Sequence, residues 1–173
     1  TRRRQRQMCI RDRFQHDMGH DNVALIHVTL IPYLHASQEM KTKPTQASVK
    51  ELQGMGIQPD ILVCRSEHPL DQGIKDKIAL FCNVPSDHVL QNLDVEYLYE
   101  APLAMEEEHL ASVVCECLKL DCPEPDLKDW KEMVECLKHP TQDVTVALVG
   151  KYIQLHDAYI LSLIHISEPT RPE

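Results

Sequence analysis

Lys41-Thr42-Lys43-Pro44-Thr45-Gln46 concentrates two ammonium groups, two hydroxyls and an amide in six residues. Donors of that kind, packed that closely, suit an anionic ligand of the phosphate type. Pro44 fixes its own φ, lacks an N–H and disfavours a helical residue before it, so the two lysines are expected on an extended or turn segment. Downstream, Ser48-Val49-Lys50-Glu51-Leu52 has the Ser-x-x-Glu form of a capping box, and Thr45 or Ser48 is the expected cap. The helix should run through Leu52 and stop at Gly54 or Gly56, placing its positive end beside the ligand of the lysines.

Other residues offer chemistry of a different kind. Arg65 closes the apolar run Asp60-Ile61-Leu62-Val63-Cys64, at the end of a strand where open α/β sheets bind ligands. Its guanidinium could stack on a nucleotide base or form a surface ion pair with Glu67 or another acid. His16, Asp17, His20 and Asp21 are metal-donor types, but Gly19 weakens the helix that would align the two histidines, and no metal site is assigned. Cys115-x-Cys117 lies in a helical pattern that turns the two thiols apart.

The elements that must hold these groups alternate between strand and helix. Asn22–Leu30 (NVALIHVTL) reads as a buried parallel strand, Ser48–Met55 as a helix and Asp60–Cys64 as a second buried strand. Asp71–Phe81 carries Ile74, Ile78 and Phe81 at helical spacing, and Asp87–Asp94 returns to extended structure. This order predicts an open α/β sheet, mainly parallel. Met105–Leu120 is an amphipathic helix, and Pro123-Glu124-Pro125-Asp126 marks a boundary. Asp126–Lys138 reads as another helix, with the lone Trp130, and Asp143–Gly150 (DVTVALVG) reads as a fresh buried strand opening another domain.

Composition bounds the function class. The 173 residues are 43% hydrophobic, carry a formal charge of −9 and have a pI near 5.5. Such a chain suits neither a general nucleic-acid binder nor a membrane-spanning protein, since no apolar run approaches the ~18 residues a span requires. Seven cysteines, at 9, 64, 82, 115, 117, 122 and 136, have no disulfide-framework spacing. They read as reduced thiols in a cytoplasmic protein. Residues 1–13 (TRRRQRQMCIRDR) and 160–173 break from their neighbours' patterns and resemble translated sequencing-adapter DNA, so both are set aside as artefact-like tails.

Three motifs together carry a family resemblance. KTKPTQ-x-SVKEL from Lys41, GIQPDILVCRS from Gly56 and KIALFCNV from Lys77 resemble, in order and spacing, the pyrimidine-nucleotide-binding stretch of CTP synthases. The resemblance implies residues 14–120 in the later part of a P-loop-like amidoligase domain, 121–142 as linker, and 143–159 as the start of a class I glutamine amidotransferase domain. It implies that Lys41, Thr42, Lys43, Pro44, Thr45, Gln46 and Lys77 contact UTP as substrate or CTP as inhibitor. Arg65, Leu93, Asp94 and Val95 match the expected ATP contacts.

The family reaction aminates UTP to CTP with ATP, magnesium and glutamine-derived ammonia, in a homotetramer. The resemblance places the family's phosphate loop, magnesium-binding acids and glutaminase triad outside residues 14–159, so this chain is expected to be catalytically silent alone. An alternative is a non-catalytic module that binds pyrimidine nucleotides or supports oligomerisation.

Overall fold

The computed structural model describes residues 14–142, 145, 147–152 and 154–167. They divide into two compact units, one ending at Lys138 and the other starting at His139. In the first unit, β1 (Ile26–Leu30) is followed by a small hairpin of β2 (Tyr33–Leu34) and β3 (Glu39–Met40), then α1 (Lys43–Gln53). The chain continues as β4 (Ile61–Ser66), α2 (Gln72–Cys82), β5 (Val89–Leu93), α3 (Ala101–Glu107), α4 (Leu110–Cys117) and α5 (Lys128–Lys138).

The sheet is parallel, in the order β1-β4-β5, with Leu30 beside Arg65 and Ser66 beside Leu93 at its carboxyl edge. This bears out the α/β reading. β4 is central and buried on both faces except at Arg65, which explains its unbroken apolar run. On one face, Leu62, Cys64 and Val89 pack with Val49 of α1 and Ile78 of α2; on the other, Ile61 and Leu90 pack with Val113 of α4. Each fully buried Leu or Ile contributes roughly 1.5–3 kcal/mol of transfer free energy.

Several expectations require correction. The strand expected over 22–30 is shorter and lies at the sheet edge among the described strands, leaving Ile26, Val28 and Leu30 exposed on its outer face. Phe81 is half exposed, and the inward stripe of α2 runs instead through Ile74, Ile78 and Cys82, four residues apart. The single helix expected over 105–120 is two, because His109 adopts φ 57° and turns the chain between α3 and α4. The break leaves Glu108 beside β5 and α2, where its carboxylate binds Lys75 and Gln91.

The helix expected over 126–138 is present as α5 and packs within the first unit. Val134 is buried, Trp130 Nε1 donates to the Tyr99 carbonyl at 2.7 Å, and Lys138 pairs with Glu100 at 2.5 Å. No buried strand forms at Thr145 or residues 147–150, which are exposed coil; Asp143, Val144 and Val146 lie outside the described residues. An isolated parallel strand has no ladder to join, and no strand is described in the second unit. That unit contains a helix, α6 (Ile160–Ser167), while residues 1–13 and 168–173 of the two tails also lie outside the described residues.

Candidate nucleotide site at the carboxyl edge of the sheet

The lysine-bearing segment folds across the carboxyl end of β1. Ile31 N–H donates to the Arg65 carbonyl at 2.8 Å, and after the hairpin Lys41 N–H donates to the Pro32 carbonyl at 3.0 Å. The second bond closes the hairpin base and fixes the position of Lys41 beside the strand end. Gln38, with φ 50°, makes the turn into β3.

Helix α1 begins earlier than its capping signals suggested. Lys43 is its first residue and Pro44 lies in the first turn, where a missing N–H costs no intrahelical bond. Thr42 precedes it with φ −83° and ψ −15°, its carbonyl accepting from Gln46 N–H at 3.1 Å. Ser48 is therefore inside the helix and does not cap it; its hydroxyl lies 3.0 Å from His27 Nε2. The expected end holds, since Gly54 terminates the helix and Gly56 takes φ +83°.

Each residue of the expected cradle has a defined place. Thr42 is buried and its hydroxyl accepts from Gln46 Nε2 at 3.1 Å. Thr45 is fully buried, donating to the Leu30 carbonyl at 3.2 Å with Thr29 Oγ1 also 3.2 Å away. These two hydroxyls and the Gln46 amide are thus engaged within the protein. Lys43 and Pro44 are exposed on the first turn, and Lys77 is exposed on α2.

Lys41 is half-buried and its ammonium meets the Glu39 carboxylate at 2.5 Å. The hydrogen bond and charge of Lys41, with a smaller pull from Lys77, hold the Glu39 carboxyl below its ordinary value. Glu39 was missed in the sequence. Its signal was its place two residues before Lys41 on an extended segment, which puts both side chains on one side.

Arg65 and Asp94 also meet. Arg65 Nη2 lies 3.2 Å from Asp94 Oδ1, and Asp94 N–H reaches the Ser66 carbonyl at 3.3 Å. Of the alternatives for Arg65, the ion pair forms, with Asp94 as its acid; Glu67 faces His35 at 3.6 Å instead. Leu93 ends β5 beside Ser66, and Val95 follows half-buried. An unforeseen ring contact, Tyr33 against His68 at 4.2 Å, joins the hairpin to the loop after β4.

That loop is anchored from below. Gln91 Oε1 accepts from Leu70 N–H at 2.9 Å, while Gln91 Nε2 donates to Glu108 Oε1 at 2.8 Å. Glu108 also takes Lys75 Nζ at 2.7 Å. Burial works to raise the Glu108 carboxyl, but bonds from Lys75 and Gln91 outweigh it and leave the group lower than usual.

Among the described residues, no three histidine, cysteine, aspartate or glutamate side chains converge as a metal site. Asp21 of the early His/Asp group pairs with Lys119 at 2.8 Å. The described residues thus offer no assembled carboxylate set for a magnesium ion. No described helix is long and apolar enough to cross a membrane.

A parallel α/β domain that presents lysines from a hairpin and a helix start at its carboxyl edge is built like a nucleotide-binding domain. The chain belongs to the CTP synthase family: residues 7–120 match the family model described as CTP synthase N-terminus. A CTP synthase of Ruminiclostridium cellulolyticum is 59% identical over 83% of this chain. One from Clostridium kluyveri is 57% identical over 84%, and one from a Synechococcus species 54% over 85%. The chain spans 27% of the length of each of these relatives. The family match begins at residue 7, inside the stretch 1–13 that the motifs left aside.

Proposed function

We propose that this chain is a portion of a CTP synthase, the ligase that aminates UTP to CTP with ATP and glutamine-derived ammonia, and that it supplies the cradle for the pyrimidine nucleotide. The observation that carries this reading is the attachment of the KTKPTQ segment to the end of β1, which holds Lys41 beside the strand end. Lys41, Lys43 and Lys77 bind the triphosphate of UTP or CTP. Thr42, Pro44, Thr45 and Gln46 set the path of the backbone between them.

Arg65 and Asp94, with Leu93 and Val95, form the neighbouring edge where ATP is received. Residues 121–142 link this domain to a glutamine amidotransferase domain that begins at 143–159, and the whole enzyme works as a cytoplasmic homotetramer. Magnesium is held by residues beyond those described. The chain alone therefore binds nucleotide without turning it over, since a phosphoryl-transfer site needs the full set of charge-neutralising groups.

The alternative is a non-catalytic nucleotide-binding or oligomerisation module, in which the same lysine edge binds nucleotide without chemistry. Two measurements test these readings. Calorimetric titration with CTP should show binding by the native chain and at least tenfold weaker binding by the Lys41→Ala, Lys43→Ala double variant; equal binding would remove the cradle. Incubation with UTP, ATP, magnesium and ammonia should yield no CTP, and turnover would overturn the proposed silence.

A further inference from the structure

Glu39 stands where an anionic ligand of Lys41 would stand. It belongs to β3, two residues before Lys41, so that the two side chains leave the backbone on the same side. Their charged ends meet at 2.5 Å while both remain partly open to solvent. No acidic residue occupies the first turn of α1, so Glu39 is the carboxylate that the lysine segment itself engages.

We propose that Glu39 is an internal competitor for polyphosphate, a carboxylate that occupies Lys41 in the empty site and must leave it when a nucleotide triphosphate binds. The inference rests on the cradle reading above and assigns a role to a residue outside the KTKPTQ motif. Two physical terms give it direction. The ligand must break the Glu39–Lys41 pair, and once bound it lies close to a carboxylate of like charge. Both weaken binding, and both vanish when the charge at 39 is removed. Glu39 thereby holds the affinity down, so that substrate and product exchange readily from a lysine-rich edge.

The opposite role is also physically open, since a carboxylate can preorganise the lysine that it holds. The two roles differ in sign. Titration of the full chain with CTP, inorganic tripolyphosphate and uridine, for the native protein and Glu39→Gln, separates them. Competition requires about three- to tenfold tighter binding of both CTP and tripolyphosphate by the variant, the scale of an exposed ion pair and its repulsion, with uridine unchanged.

Tighter CTP without tighter tripolyphosphate would place the effect on the nucleoside and overturn the proposal. Unchanged or weaker CTP binding by Glu39→Gln, with the lysine double variant still impaired, would overturn it while leaving the cradle intact. If the native chain binds neither CTP nor tripolyphosphate, the cradle and the competitor fall together.

Discussion

The Thr45 hydroxyl donates to the Leu30 carbonyl at 3.2 Å, tying the first turn of α1 to the carboxyl end of β1. The two residues are fifteen apart, and the hairpin that carries Glu39 and Lys41 lies between them. This bond closes the loop so that the lysines sit over the sheet edge. It also explains why a threonine, with its hydroxyl turned inward, occupies the motif at that point.

Thr45→Val keeps the shape of the side chain and removes the donor. Stability to urea should fall by about 1 kcal/mol, the scale of one partly buried hydrogen bond. Thr45→Ser should recover most of it. CTP affinity should fall in the valine variant as well, because the closure of the lysine segment is loosened.

Glu108 gives the fold a pH dependence. Its carboxyl titrates below the ordinary value of 4.5 in the folded protein, so its contribution is present above that value and disappears as pH falls through the lower folded one. Glu108→Gln should therefore cost about 1–2 kcal/mol at neutral pH. The difference from the native chain should shrink when urea unfolding is repeated in acid below the folded titration. An equal deficit at both pH values would show that charge is not involved.

Much of this architecture was legible in the residues. The unbroken ILVC run is a central strand because both its faces are covered, and α1 stops at Gly54 with Gly56 just beyond it at φ +83°. α1 starts earlier than the expected caps because Pro44, a barrier inside a helix, is tolerated in a first turn. Phe81 was expected inside because periodicity identifies a helix more securely than the width of its buried face. The Arg65–Asp94 pair depends on strand register, which local patterns do not encode. The break at His109, which takes φ 57°, had no local signal.

Cysteine reactivity should follow burial. Cys82 is pushed up to about 11 by burial, with the neighbouring Cys64 thiol adding to the shift, and burial also raises Cys64. Cys122 and Cys136 are exposed. Iodoacetamide labelling of the native chain, followed by peptide mass spectrometry, should modify Cys122 and Cys136 first and reach Cys64 and Cys82 only after denaturation. Rapid labelling of Cys64 would mean that β4 is not the centre of a packed sheet.

The outer face of β1 exposes Ile26, Val28 and Leu30 by 44%, 58% and 62%, which makes an adhesive edge. Val28→Lys should reduce concentration-dependent light scattering with little change in melting temperature, since Val28 is not part of either packed core. Scattering that is undiminished would locate self-association elsewhere.

A crystal structure of the chain with CTP tests the account most directly. Terminal phosphate oxygens should lie within about 3 Å of the Lys41 and Lys43 ammonium groups, with Glu39 withdrawn and Lys77 turned toward the phosphates. Nucleotide bound at another edge of the sheet, with Lys41 still on Glu39 and Lys43 in solvent, would contradict it.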